Sequence, residues 1–473
     1  MVESHPRQRR DAGLGAAMAR KKSVPGAPAP ASAAPPPVAA VAAGAGTITD
    51  VQYTGEYFWH QSPSMMNYIA ALNGVAPRAL DRAFTYCELG CGKGVTSTVL
   101  AALHPHGQFY ACDLNPEHIR GAVARAVAAG VANVKFLERD IAAMGAEKLP
   151  KFDFITLHGL WSWVSGAVRA EIGAFIKAKL KPGGLVMLSY NAMPGWAPLK
   201  PIHRMMHAYA DALPGNSIDK ARQAYAYVKF LVDNKADYFT ANPAAAQQVE
   251  SIGTVDPRYA AHEYMAPHSD PFYFAEVEQH MREEGLGFVG SLLPGQNYPE
   301  VSVAARFREL MATAPSRVIL ETHRDFVANT RFRVDLYALP EAGRAATDAL
   351  LAENLYFALL AEPSGLPLKG ENAGIQYNFG PYEKSVRVVH ALVGGGVADW
   401  AALERATGMT PEAASRFLQE MVLARHLWPC APVQKPADTA KLQVLLDAEA
   451  RKDGLNRRLL LRPAAGSAEY VAR

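Results

Sequence analysis

Residues 85–95 read Thr-Tyr-Cys-Glu-Leu-Gly-Cys-Gly-Lys-Gly-Val. An apolar run, Phe84 to Cys87, leads into a carboxylate, Glu88, and then into glycines at alternate positions, Gly90, Gly92 and Gly94. A glycine-rich turn directly after a strand lets the backbone bend sharply and approach a ligand with no Cβ in the way. A dinucleotide fingerprint requires G-x-G-x-x-G, and Val95 stands where its last glycine belongs. A Walker loop requires Ser or Thr after Gly-Lys, and Gly92-Lys93 is followed by Gly94. The pattern that remains is E-x-G-x-G-x-G.

Working outward, Gln108-Phe-Tyr-Ala-Cys-Asp113 is a second short apolar run that ends in a carboxylate, about one strand–helix–strand unit downstream. Asn115 and Pro116 predict a helix start there, with a polar cap and proline in the first turn. Val134 to Glu138 reads as a third strand, followed by Asp140 and Ile141. Lys151 to Leu157 reads as a fourth, ending at the polar pair His158-Gly159, and Lys181 to Tyr190 as a loop and a fifth. Strands alternating with helical stretches from 85 to about 191 predict a doubly wound parallel sheet, with a ligand crevice at the C-terminal strand ends.

In this setting the glycine turn resembles the first motif of class I S-adenosylmethionine (SAM) methyltransferases. Further segments resemble a narrower group, the bacterial protein-lysine methyltransferases that carry a methyltransferase regulatory domain. They are Cys87-Glu-Leu-Gly-Cys-Gly92, His158-Gly-Leu-Trp-Ser-Trp-Val164 and Ser189-Tyr-Asn-Ala-Met-Pro-Gly-Trp196. Looser echoes are Asp270-Pro-Phe-Tyr-Phe274 with Gly285-Leu-Gly-Phe288, and Arg324-Asp-Phe326 to Arg331-Phe-Arg333. The resemblance covers roughly residues 50–430. It implies a Rossmann-like class I sheet and a SAM site formed by Glu88, Gly90, Gly92, Gly94, Asp113, Leu114, Asp140, Ile141 and His158. In such enzymes the acid closing the second strand, here Asp113, binds the ribose hydroxyls, and Asp140 lies where the adenine amino group is held. Two departures stand out. His60 and Pro63 are separated by Gln61-Ser62 where the family places His beside Pro, and Trp161 occupies a position expected to be Tyr.

If the acceptor is a lysine, its ammonium has no lone pair and must lose a proton, which desolvation assists. Aromatic walls attract the cation and then supply a dry channel. Trp161, Trp163, Tyr190 and Trp196 follow the fourth and fifth strands, at the right end of the sheet. With Tyr57 and His60 of the aromatic lead-in, the three tryptophans form the candidate substrate side; His158, Trp161 and Tyr190 form the candidate catalytic set. His158 is expected to titrate near neutrality and so to relay the proton, or else to orient the cofactor by a hydrogen bond. Core packing is the competing reading for the tryptophans. Fold and motif name the cofactor far better than the acceptor. A small-molecule N- or O-methyltransferase is therefore the alternative enzyme, and a SAM-binding, DNA-associated regulator the alternative outside enzymes.

The 473 residues carry a formal charge of +3, but it is unevenly placed. Residues 1–46 hold six Arg/Lys against two acids, and 451–473 again six against two, which leaves 47–450 at −5. The body thus offers no general electrostatic case for nucleic acid. Cys87, Cys91, Cys112 and Cys430 have neither disulfide nor metal spacing, so no metal is expected and a reducing cytoplasm fits. There is no apolar run of membrane-spanning length.

Five regions are expected. Residues 1–46 form a disordered, Ala/Pro-rich basic tail, and 47–198 the methyltransferase domain. Residues 199–340 form a mostly helical, regulatory-type domain, with a helix opened by Asp270-Pro271 and closed by Gly285, a strand at 287–290, and helical character at 318–326 and 332–336. Residues 341–430 form a winged-helix-like unit with helices at 386–393, 399–407 and from 411. Its third helix shows Glu412 and Glu420 beside Arg416 and Arg425, which is not one-sidedly basic. Residues 431–473 are expected to be an extension with weak Leu periodicity and a polar tail.

Overall fold

The five expected strands form as β1 (Phe84–Leu89), β2 (Gly107–Asp113), β3 (Val134–Glu138), β4 (Phe152–Leu157) and β5 (Leu180–Asn191). β1 pairs in parallel with β2 and β4, β2 with β3, and β4 with β5. The computed structural model describes residues 50–472 apart from 52, 54, 340–346, 361–364, 373, 395, 433–437, 454 and 456. The expected disordered tail, 1–46, lies outside the described residues.

The strands read as nearly continuous apolar runs because both sheet faces are covered. Four helices follow in chain order: α1 (Pro63–Leu72), α2 (Val95–Leu103), α3 (Pro116–Ala129) and α4 (Gly166–Lys179). Tyr86 and Met187 enter one core with Met65 of α1 and Val99 of α2, while Cys87, Leu89 and Val186 enter the opposite core with Ile172 and Phe175 of α4. The start of α3 is as read from the sequence: Asn115 accepts from the Glu117 N–H, and Pro116 takes the first turn.

Beyond Trp196, α5 (Leu199–Asp211), α6 (Ser217–Asp233), α7 (Asp237–Ala241), α8 (Pro243–Ile252) and α9 (Pro257–Met265) close around a core of their own, including Ile202, Met206, Val228 and Val249. α10 (Phe274–Glu283) starts later than Asp270-Pro271 suggested. Residues 270–272 instead run extended beside the end of β5, with the Phe272 N–H donating to the Asn191 carbonyl at 2.9 Å. The Glu276 carboxylate then takes the Tyr273 N–H at 2.7 Å and fixes the helix start. Phe274, Val277 and Met281 face inward as expected.

Two more strands complete the sheet, β6 (Gly287–Ser291) and β7 (Phe332–Ala338), giving the order β3-β2-β1-β4-β5-β7-β6 with β7 antiparallel to both neighbours. Residues 332–336 are therefore strand and not helix, and the expected boundary at 198 runs through a shared sheet. The misreading has a physical cause. Arg333 and Asp335 look like a polar helix face, yet both are fully buried. The Arg333 guanidinium donates to Asp335 at 2.9 Å, to Asp325 at 2.8 Å and to Glu321 at 3.0 Å, and it lies 4.4 Å from the Phe274 ring centre. Buried charges of this kind persist only when paired and hydrogen-bonded.

The three C-terminal helices form at Glu383–Val393, Trp400–Thr407 and Pro411–Leu423, beside an antiparallel sheet of Tyr356–Leu359, Ala398–Asp399 and Leu427–Cys430. The expected polar tail is instead ordered: a helix, Ala440–Lys452, precedes a hairpin of Arg457–Arg462 and Ser467–Ala472. This segment returns to the first domain, where the Tyr57 N–H donates to the Tyr470 hydroxyl at 2.8 Å.

Candidate active site

A cavity of about 640 Å³ opens at the C-terminal ends of β1, β2, β4 and β5, where a doubly wound sheet places its ligands. Its floor is the glycine turn. The N–H groups of Gly90 and Cys91 both donate to the Cys112 carbonyl at 2.9 Å, which folds the turn back over β2. The Gly92 N–H donates to Asp113 Oδ2 at 2.8 Å, and Asp113 Oδ1 accepts from the Asn115 N–H at 2.9 Å. Asp113 is thus the brace that joins the first and second strand ends.

The three glycines have different duties. A Cβ on Gly92 would meet no atom within 4 Å, so this glycine faces open cavity. A Cβ on Gly94 would come 2.6 Å from the Phe136 ring and 2.7 Å from the Ala122 Cβ. Gly94 therefore serves helix packing and is absent from the cavity wall. Gly90 lies on the wall, with the Leu160 side chain 3.3 Å from where its Cβ would stand.

Glu88 sits beneath the turn, where its carboxylate accepts from the Ser97 hydroxyl. Burial pushes its pKa up to about 7, opposed by hydrogen bonds from Ser97 and Gln61. His158, at the end of β4, lines the cavity with its Nδ1 2.9 Å from His60 Nε2 and 3.1 Å from the Ser189 hydroxyl. Burial, reinforced by His60, drives the His158 pKa well below 6.5. The expectation that His158 titrates near neutrality does not hold: half-buried on the cavity wall, its ring is held neutral.

Of the other sequence-derived candidates, Trp163 and Trp196 border the cavity. Trp161 and Tyr190 do not. The Trp161 ring is 1% exposed, packed in the core 5.3 Å from His280. The Tyr190 hydroxyl donates to Asp335 at 2.8 Å in the buried ion cluster behind β5. Tyr57 is turned toward Tyr470 and Ser467, and His60 lies behind His158. Leu114, Asp140 and Ile141 are also off the wall; Asp140 caps the turn that follows it by accepting from the Ala142 N–H.

The aromatic lead-in does reach the cavity, through residues other than the candidates Tyr57 and His60, and sequence reasoning missed only the wall beyond it. Tyr53, Glu56 and Phe58 of the lead-in cover one side, held by the Phe58 N–H donating to Thr96 Oγ1 at 3.1 Å. α9 supplies Tyr259, His262, Glu263 and Tyr264, and the approach to β7 supplies Arg331. The His203 ring of α5 lies 6.1 to 6.3 Å from Trp163, Trp196 and Tyr264, and its Nε2 donates to the Glu263 carbonyl at 2.8 Å. Asp256-Pro257 does signal the start of a helix. Nothing local shows that its far end meets a cavity floored by residues 90–113.

Two families match this chain, one described as a methyltransferase domain at residues 80–242 and one as a predicted methyltransferase regulatory domain at residues 256–338. An uncharacterized protein of Synechocystis, sll1526, is 34% identical over 350 residues, which span 73% of this chain and 68% of that protein. An uncharacterized protein of Rickettsia prowazekii, RP028, is 30% identical over 228 residues, 48% of this chain and 89% of its own. Among solved structures, PKMT2 from Rickettsia typhi in complex with AdoHcy superposes with a TM-score of 0.66 at 19% identity, covering 89% of this chain and 86% of that one. A second structure of the same protein gives 0.61 at 21% identity, covering 81% and 78%.

Proposed function

The chain belongs to the class I SAM-dependent methyltransferases that carry a methyltransferase regulatory domain, and from that premise we propose that its acceptor is the side-chain amine of a protein lysine. The cavity fits SAM on its own chemistry. Gly92 offers backbone with open space above it, and Asp113 and Glu88 present carboxylates beside it. Gly90, Gly92, Asp113, Glu88 and His158 are the residues we assign to holding it. When bound, SAM supplies an electrophilic methyl group on a sulfonium.

One observation carries the lysine reading. The side of the cavity made by α9 and the loops after β4 and β5 is walled by Trp163, Trp196, Tyr259 and Tyr264. The wall as a whole bears four acidic side chains, Glu56, Glu88, Asp113 and Glu263, the second and fourth with pKa values raised to about 7, against two cations, Lys93 and Arg331. An aromatic cavity rich in acidic side chains suits a cationic donor together with a cationic amine. The chain's part is to align the two and exclude water; in-line displacement needs little else from the protein. His158 stays neutral and orients, since a charged imidazole would repel both ligands. The one protein of both similar solved structures is named PKMT2, a name in keeping with this reading. Mass spectrometry of intact proteins incubated with enzyme and SAM tests it: added methyl groups on lysine are expected, and methylation confined to small molecules would sink it.

A further inference from the structure

Each carboxylate of the cavity wall has a partner, and the partners differ in kind. Glu56 is paired with Arg457 at 2.6 Å. Glu88 is held by Ser97 and Gln61. Asp113 holds the N–H groups of Gly92 and Asn115, and His118 Nδ1 lies 3.1 Å from it. Of these three, Glu56 is committed to the fold, and Glu88 and Asp113 belong to the cofactor side of the cavity. Glu263 is different: its carboxylate is hydrogen-bonded by the Tyr259 phenol, a neighbour on its own helix. Its backbone is fixed by His203, so the side chain is presented to the cavity from a rigid position between Tyr259 and Tyr264.

We propose that the Glu263 carboxylate is the acceptor-side anchor of this site, binding the ammonium of the incoming amine and taking the proton that the amine must lose. The inference rests on the lysine reading above and gives it a named residue, one supplied by the regulatory-domain segment rather than by the sheet. The aromatic rings beside Glu263 admit a cation while keeping water out. The step balances. One ammonium proton passes to Glu263 and on to solvent, the freed nitrogen lone pair forms the N–C bond, and the C–S bonding pair leaves with sulfur as a neutral thioether.

The surroundings of Glu263 suit a base. Burial raises its pKa to about 7, and the Tyr259 hydrogen bond and Arg331 oppose the rise. The other titratable groups around it are Tyr53 of the lead-in, Tyr259 and Tyr264 of α9, His203 of α5 and His262. Burial raises the pKa of each of these phenols and lowers that of each of these imidazoles, so all are neutral at pH 7. Arg331 is the fixed charge facing it. A base with a pKa near the working pH is where general base catalysis is most efficient.

The test uses the full-length protein and Glu263→Gln, with Glu263→Asp as the conservative variant. The probe is Nα-acetyl-lysine methylamide. Its binding is followed by tryptophan fluorescence with S-adenosylhomocysteine present, and transfer by label from methyl-tritiated SAM. Glu263→Gln is expected to keep SAM affinity and melting temperature and to lose amine binding by about tenfold to a hundredfold. Transfer by the wild type should rise with pH through about 7, a limb that Glu263→Asp retains and Glu263→Gln lacks. Unchanged amine binding and pH profile in Glu263→Gln would overturn the assignment and leave the lysine reading standing. Loss of SAM affinity in Glu263→Gln would overturn it too, by moving the residue to the cofactor. A wild-type protein indifferent to the amine in both assays would refute the lysine reading itself.

Discussion

His60 Nε2 lies 2.9 Å from His158 Nδ1, a hydrogen bond between two imidazoles that ties the lead-in segment to the end of β4. Ser189 Oγ, which accepts from the Gly159 N–H at 2.8 Å, lies 3.1 Å from the same Nδ1. Burial holds His60 at about 3 and His158 well below 6.5, so both are neutral in the folded protein.

The pair predicts a pH dependence of stability. Both folded pKa values lie below the unfolded value, so the unfolded chain binds the extra protons once pH drops beneath about 6.5. The contribution is complete above that pH and is lost as pH falls toward the folded values. Each such proton adds a slope of about 1.4 kcal/mol per pH unit. Denaturant unfolding from pH 7.5 to 5 should show His60→Gln with a slope shallower by about one proton. Equal slopes in variant and wild type would show that His60 is not held neutral.

The glycine turn predicts two variants that fail for different reasons. Gly92→Ala places a methyl group in open cavity at a backbone φ of +52°, a strain worth about 1 kcal/mol, and should fold while losing SAM affinity. Gly94→Ala drives its methyl group into Phe136 and Ala122 at a φ of +64°, and should lower the melting temperature sharply. Calorimetry with SAM alongside thermal melts separates them. A well-folded Gly94→Ala with normal SAM affinity would contradict the packing role given to that glycine.

The tryptophans divide in the same way. Trp161→Ala removes a buried ring and should cost about 3–5 kcal/mol, with activity falling only as the folded fraction falls. Trp196→Ala removes a cavity wall and should leave SAM binding nearly intact while reducing transfer to a lysine-bearing protein. A desolvated cation–π contact of about 2 kcal/mol corresponds to roughly thirtyfold, part of which Trp196→Phe should restore. If Trp161→Ala is stable and slow while Trp196→Ala is unstable and fast, the two roles are reversed.

What could be read from the sequence followed the range of the interactions. The glycine turn, Asp113 and the five parallel strands are local patterns, with turn chemistry and apolar runs only a few residues long, and they form where expected. Strand β7 was hidden because a buried Arg333–Asp335 pair imitates a solvent-facing polar pattern, and its partners Glu321 and Asp325 sit on a preceding helix. Trp161 and Trp163 are two residues apart in one family segment, and only the packing of α10 decides that Trp161 points to the core. Glu263 carries no local signal at all; it is brought to the cavity by the closure of α5, α6 and α9 on one another. The C-terminal hairpin alternates its apolar side chains too briefly to stand out from a polar tail.

That C-terminal segment makes a further prediction. Arg125 of α3, nearly buried, donates to the Lys93 carbonyl inside the glycine turn at 2.7 Å. The same guanidinium takes a fork of contacts from Glu449, with its Nε 3.0 Å from Oε1 and an amino group 3.0 Å from Oε2. Glu449 lies on the helix Ala440–Lys452, so a residue more than three hundred positions away steadies the turn assigned to the cofactor. Glu449 is 43% exposed, which screens the pair, while Arg125 at 6% is not free to find water. Glu449→Ala should therefore cost only about 1 kcal/mol of global stability yet weaken SAM binding by about fivefold, because Arg125 loses the group that holds it against Lys93. Calorimetry with SAM and denaturant melts on one preparation read both quantities. A stability loss with unaltered SAM affinity would confine the C-terminal segment to a packing role and uncouple it from the site.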